Sequence, residues 1–302
     1  MGKIAFVFSG QGDQYPGMGK ELYEQYPVAA EVFDLCEALR PGTLAQCFEG
    51  SEQELKETKN TQPCLFAMEL AAATVLQDKG IRPAAVAGFS LGEVAAATLA
   101  GIFDPKTGFQ TVCKRGELMQ QQAEKFDTAM AAVVKLTPEQ VAALCENFSD
   151  IYPVNFNCPG QITVSGLQEQ MPAFFAEVKA AGGKAIPLKV KGAFHSPFMN
   201  EAATAFAQAL AKTEMHAPHL PLYSNKTAAP NTQDAVKLLS EQICSPVQWE
   251  KSIRAMIADG VDTFIEIGPG KTLSNMIRKI DATVKTYAVS ALSDLLTEVG
   301  SC

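Results

Sequence analysis

The sequence predicts an α/β protein: a hydrolase-like core built on a mostly parallel sheet, with an inserted ferredoxin-like α+β unit. Three observations lead there. Short apolar runs alternate with helical patterns at both ends of the chain, the signature of a parallel sheet covered on both faces. The middle of the chain reads β-α-β-β-α-β over about 60 residues, the ferredoxin-like order. Between the first two apolar runs and the middle unit, Gly88-Phe89-Ser90-Leu91-Gly92 stands where an apolar run turns into a helix pattern.

The elements follow in order. Ile4–Phe8 is a short apolar run and reads as a buried strand. A glycine-rich loop, "SGQGDQYPGMG", leads into a helix. Helices are expected over 29–39 and 63–79, the second starting at Pro63 and stopping at Gly80. "RPAAVAGFS" is the second parallel strand, followed by helices over 91–101 and 105–125. In the middle unit, "AMAAVVKL" is a strand, and "TPEQVAALCENF" is a helix with Thr137 as N-cap and Pro138 at its first position. "IYPVNFN" and "QITVSGL" are strands around a Cys158-Pro159-Gly160 turn; a helix ending in glycine and the strand "KAIPLKV" complete the unit. Helices over 197–212, 232–243 and 249–259 then alternate with the strands "LPLYSN" and "TFIEI", before the helix "TLSNMIRKI" and the strand "TYAVS". The expected division is 1–127 with 190–302 as the catalytic unit, and 128–189 as the insertion.

Composition narrows the function classes. The chain has 302 residues, 47% of them hydrophobic, and a formal charge of −8. That acidity argues against a nucleic-acid binder, though a local basic patch for an anionic partner is compatible with it. None of the eight cysteines forms a C-x-x-C pair or joins a histidine cluster, which argues against structural zinc and for reduced thiols in a cytoplasmic setting. No segment approaches the roughly 20 apolar residues of a membrane span, and the N-terminal apolar run is too short for a signal peptide.

Gly88-Phe89-Ser90-Leu91-Gly92 fits G-x-S-x-G. In a strand–turn–helix setting this pattern exposes a serine hydroxyl on a strained turn, with flanking glycines to avoid clashes and the following N–H, here of Leu91, free to hold an oxyanion. The same residues also suit a serine that merely caps the helix. A nucleophilic serine needs a base, and there are only three histidines. His216 and His219 sit among prolines on the approach to a strand. Their i,i+3 spacing would converge on a metal only in a helix. His195, in "KGAFHSPFMN" between the inserted unit and the next helix, is the candidate base. An ordinary α/β-hydrolase has the order serine, acid, histidine with a late histidine. Here a whole unit separates Ser90 from His195, and the chain runs on well past the last histidine.

Seven segments in order carry a resemblance: "FVFSGQGDQYPGMGKELY", "GFSLGEVAAATLAG", "KRGELMQ", "NFNCPGQITVSG", "GAFHSPFM", "PVQWEKSI" and "EIGPGKTLSNMIRKI". Together they resemble the malonyl-CoA:acyl-carrier-protein transacylases, a family shared with the acyltransferase domains of polyketide synthases. The resemblance implies Ser90 as the acylated nucleophile and His195 as its general base. It implies Gln11 and Leu91 as oxyanion donors, and Arg115 as the partner of the substrate carboxylate. It places at Gln248 the main-chain carbonyl that orients the histidine. It also implies no metal or bound organic cofactor, malonyl-CoA and a phosphopantetheinylated acyl carrier protein as substrates, and a monomer. Phe194 matches the malonyl-type version of its segment, in which a bulky ring would crowd an α-methyl branch. Phe89 departs from the family, which more often has histidine there. An acyl hydrolase on the same fold and a non-catalytic carrier-binding module are the other readings.

Two lookalike motifs fail. "SGQGDQYPG" has Tyr15 where a dinucleotide loop needs its third glycine, and "GPGKT" lacks the first glycine of a P-loop. The helix start at Lys271 could still meet an anion. Two basic clusters, Lys184, Lys189 and Lys191 or Lys271, Arg278 and Lys279, are candidate docking patches for an acidic partner.

Overall fold

The computed structural model describes residues 2–231, 234–292 and 295–296. The strands are β1 (Lys3–Phe8), β2 (Ala85–Gly88), β3 (Thr128–Val134), β4 (Ile151–Cys158), β5 (Gln161–Leu167), β6 (Lys184–Lys191), β7 (Leu222–Tyr223), β8 (Val261–Ile267) and β9 (Lys285–Ala288). They form a five-stranded sheet of order β7-β2-β1-β8-β9 and a four-stranded sheet of order β4-β5-β3-β6. All pairings in the first are parallel and all in the second antiparallel. The second order is that of a ferredoxin-like unit, so the α/β class and its α+β insertion agree with the sequence reading. Strand β6 continues to Lys191, past the expected boundary at 189.

The central strand shows why the parallel sheet reads as unbroken apolar sequence. Ile4, Phe6 and Phe8 face one core, while Ala5 and Val7 face another on the opposite side of the sheet. A strand with both faces covered has no solvent side on which to place polar residues. The helix Thr58–Asp78 is buried almost all round, because it lies in the first of these cores between neighbouring helices.

That helix starts five residues before Pro63, where the sequence reading had placed its first turn. Proline removes one N–H from the ladder, a loss that matters least near a helix start. The extra turn is held from outside. The Thr58 N–H donates to the Gln120 side chain at 2.9 Å. Gly116 lies so close that a β-carbon there would come within 3.1 Å of the Thr58 carbonyl oxygen. Tertiary packing has overridden the local signal, and it brings Gln62 inside a buried helix.

The other differences are small. Helix Thr43–Glu49 was not foreseen. The 197–212 helix is a 3₁₀ turn, Pro197–Met199, followed by Asn200–Leu210. The helix expected over 232–243 is seen as Ala235–Gln242, and its expected start at Thr232 lies outside the described residues. The Pro246–Trp249 segment ties the two sheets together. The Val247 N–H donates to the Val154 carbonyl in β4 at 2.8 Å, and the Phe156 N–H donates back to the Val247 carbonyl at 2.9 Å.

Thr137 accepts from the Gln140 N–H while the Gln140 side chain accepts from the Thr137 N–H, a complete capping box on helix Pro138–Cys145. Thr137→Ala should therefore lower the unfolding free energy by about 1 kcal/mol in urea titration.

Candidate active site

Strand β2 ends at Gly88 and helix Gly92–Leu99 begins four residues later, with Ser90 at the bend. Ser90 has φ 56°, a left-handed conformation that costs a non-glycine residue free energy. The glycines are required by contact rather than by their own dihedrals. A β-carbon on Gly88 would overlap the Gly92 backbone, and one on Gly92 would run into the carbonyl oxygens of Phe8 and Ser9.

Both backbone polar groups of Ser90 are tied down. Its N–H donates to Asn225 Oδ1 at 2.7 Å, and its carbonyl accepts from Gln242 Nε2 at 2.7 Å. The hydroxyl meets His195 Nε2 at 2.8 Å. His195 is itself left-handed, at φ 62°, and buried. Its Nδ1 lies 2.9 Å from the Gln242 carbonyl oxygen. A carbonyl can only accept, so Nδ1 carries the proton and Nε2 presents a lone pair to the Ser90 hydroxyl.

This corrects the assignment of the orienting carbonyl to Gln248. The Gln248 carbonyl accepts from Ser252 in the first turn of helix Trp249–Ala258, and the Gln248 N–H donates to the Asn225 carbonyl. Gln242 is the last residue of helix Ala235–Gln242, where carbonyls lack an intrahelical partner and can face outward.

Arg115 is 1% exposed, on helix Pro105–Ala123. It donates from Nη1 to Gln62 Oε1 at 2.9 Å, and from Nη2 to Gln242 Oε1 at 2.7 Å and to Ser90 Oγ at 3.2 Å. No carboxylate among the described residues pairs with it directly. The nearest compensating charge is Glu93, fully buried, whose Oε2 accepts from Gln242 Nε2 at 2.7 Å and from the Asn225 N–H at 3.3 Å.

Burial dominates the electrostatics. It lowers His195 to about 4, helped by the Arg115 charge, so the imidazole is neutral at neutral pH. It raises the Glu93 carboxyl to about 7 and lowers Arg115 to about 10, which still leaves the guanidinium charged.

Leu91 is buried at the helix start. Gln11 lies in the loop after β1, next to Gly10, which packs so closely on Phe89 that a β-carbon there would come within 2.8 Å of the ring. Neither the Leu91 nor the Gln11 N–H has an acceptor among the described residues. Phe89 packs edge-on against Trp249, ring centres 5.4 Å apart. Phe194 is buried, with its ring against Gly192. Ser90, His195 and Arg115 thus converge on one hydroxyl. Gln62, Glu93, Asn225 and Gln242 surround them, and sequence reasoning assigned none of these four a role.

The remaining candidates lie apart from this network. His216 is exposed beside Glu214. Among the described residues no group of three or more histidine, cysteine or acidic side chains could hold a metal, and no helix is long and apolar enough to cross a membrane. The helix start at Lys271 is occupied by the protein's own acid: the Leu273 and Ser274 N–H groups donate to Glu266, at 2.9 and 2.7 Å.

Residues 5–293 match the model of the acyl transferase domain family. The chain belongs to that family. The malonyl CoA-acyl carrier protein transacylase of Bacillus subtilis (strain 168) is 41% identical over 298 residues, covering 96% of this chain and 94% of that one. The crystal structure of malonyl CoA-acyl carrier protein transacylase from Clostridium perfringens superposes with a TM-score of 0.95 at 33% identity, covering 99% and 98% of the two chains. A malonyl-transacylase in complex with its type II polyketide-synthase acyl carrier protein superposes with a TM-score of 0.95 at 32% identity, covering 99% and 100%. In this acyl transferase the serine–histidine–arginine cluster lies within the stretch the family shares.

The shifts of Glu93 and His195 act oppositely on stability. His195 favours the folded state above its ordinary 6.5, and that contribution is lost as pH falls to about 4. Glu93 favours it below its ordinary 4.5, and that contribution is lost as pH rises to about 7. Glu93→Gln removes the second effect. Its stability relative to wild type should rise by on the order of 3 kcal/mol between pH 4.5 and 7, measured by urea unfolding across that range.

Proposed function

We propose that the chain moves a malonyl group from malonyl-CoA to the phosphopantetheine thiol of an acyl carrier protein, through a malonyl ester on Ser90. The observation that carries this reading is the meeting of His195 Nε2 and the buried Arg115 guanidinium at one serine hydroxyl. The relatives named for this activity, matched over nearly their whole length, support it.

In the first half-reaction Ser90 Oγ attacks the thioester carbonyl while its proton passes to His195 Nε2. The tetrahedral oxyanion is held by the Leu91 and Gln11 N–H groups. Collapse breaks the C–S bond, and His195 returns the proton to the departing thiolate. In the second half-reaction the carrier's thiol gives its proton to His195 and attacks the ester; collapse breaks the C–Oγ bond, and His195 returns the proton to Ser90 Oγ, restoring the hydroxyl. Arg115 is the counter-charge for the free malonyl carboxylate, and arginine offers two parallel donors to such a group. Every role is filled by the chain's own groups, so the reading calls for no metal or bound organic cofactor. The setting it fits is fatty-acid synthesis in the cytoplasm, with a polyketide pathway as the alternative. On this reading the catalytic unit comprises the segments before and after the insertion that begins at 128, an insertion that strand β6 carries past the expected 189 to Lys191. Lys189 and Lys191, exposed on β6 just before the His195 loop, offer the nearer basic surface to an acidic carrier.

Intact mass after brief exposure to malonyl-CoA, with peptide mapping, tests the reading. A malonyl adduct on Ser90, discharged by holo carrier protein, is the expected result; an adduct from neutral acyl-CoA lost to water alone would mark a hydrolase. Arg115→Ala should lower kcat/KM for malonyl-CoA by about 10²-fold or more, the cost of leaving a buried carboxylate unpaired; unchanged malonyl kinetics would remove Arg115 from the site.

Because His195 is held near 4 in the free enzyme, kcat/KM for Ser90 acylation, measured with subsaturating malonyl-CoA, should stay on its plateau down to about pH 5 and fall along a limb near 4. A stopped-flow profile with its limb at 6.5 would mean that the resting histidine is not desolvated.

A further inference from the structure

Among the described residues Glu69, Glu93 and Glu266 are fully buried acids that the mechanism leaves unused, and of these Glu93 bonds to the groups around Ser90. Glu93 is the second residue of the helix behind Ser90 and makes no hydrogen bond to Ser90 Oγ or His195. Its Oε2 accepts from Gln242 Nε2, and the same amide nitrogen donates to the Ser90 carbonyl. An amide –NH₂ has two hydrogens, and these two acceptors take both. Turned over, the amide would point its oxygen at two acceptors. Gln242 Oε1 is therefore fixed on the other side, where it receives Arg115 Nη2 at 2.7 Å. With Gln62 Oε1 holding Nη1, the plane of the guanidinium is set from two sides.

We propose that Glu93 and Gln242 are positioning residues for acyl-group selection: the Glu93 carboxyl fixes the Gln242 amide, and that amide aims Arg115 at the free carboxylate of the acyl group. This rests on the reading of Ser90 as the malonyl acceptor and goes beyond it. The Gln242 main chain serves the base, while its side chain serves specificity. The two roles are separable because a side-chain substitution keeps the carbonyl that holds His195 Nδ1.

The readout is the ratio of kcat/KM for malonyl-CoA to that for acetyl-CoA, from Ser90 acylation followed by intact mass. Glu93→Leu and Gln242→Met, which remove the acceptor and the amide respectively, should each lower that ratio at least tenfold, with the loss carried by KM for malonyl-CoA. Glu93→Gln keeps an acceptor in place and should hold the ratio within threefold of wild type. A ratio unchanged in Gln242→Met, or Glu93→Gln falling as far as Glu93→Leu, would overturn the proposal. Gln242→Met decides the matter alone if Glu93→Leu does not fold. Arg115→Ala in the same assay separates the two levels. If it keeps the malonyl preference, the reading of the site has failed; if it loses the preference while Gln242→Met keeps it, only the positioning role has failed.

Discussion

The left-handed backbone of Ser90 is the constraint on which the site depends. A serine at φ 56° persists only if its surroundings outweigh the strain, and here its N–H and carbonyl are each held by a buried amide side chain. Those side chains, Asn225 and Gln242, come from distant parts of the chain. Glu93, on the helix that follows the serine, accepts from the Gln242 side chain and from the Asn225 main-chain N–H. The turn that exposes the hydroxyl is thus closed on itself through one carboxyl, and the fold around it has to bring residues 225 and 242 to the end of β2.

That arrangement explains a second feature, a buried arginine with no carboxylate bonded to it. An isolated charge in a protein interior is costly, and Arg115 has only neutral amide and hydroxyl acceptors around it. Glu93 offsets the charge from behind one amide without occupying the guanidinium. On the proposed reading, direct pairing would quench the arginine's attraction for a substrate carboxylate; separation by one glutamine keeps the charge available and still lowers the cost of burying it.

The sequence exposed the parts of this site that carry a pattern, and hid those that carry none. G-x-S-x-G was legible because each glycine is forced by a backbone contact. His195 was legible because histidines are few. Arg115 needed the family resemblance, since one arginine on a helix has no signature of its own. The orienting carbonyl was misplaced by six residues, from Gln242 to Gln248, for a physical reason: every residue has a carbonyl, and only the folded chain shows that the one at the end of helix Ala235–Gln242 faces His195. Gln62 was hidden by Pro63, which made its turn look like loop. Asn225 and Glu93 look like ordinary polar residues until the sheet order places them together. The sheet itself was readable because strands covered on both faces, such as β1, leave unbroken apolar runs.

The charges around the serine also order the events of the reaction. In the resting enzyme the Arg115 cation adds to burial in lowering His195, so the base is neutral but weak. On the proposed reading, a malonyl carboxylate paired with Arg115 would cancel that part of the shift, and the imidazole would become more basic when a thioester carbonyl lies above Ser90. A neutral acyl group brings no such charge and leaves the histidine at its resting basicity. Selection for a free carboxylate then acts twice, once in binding and once in the strength of the base.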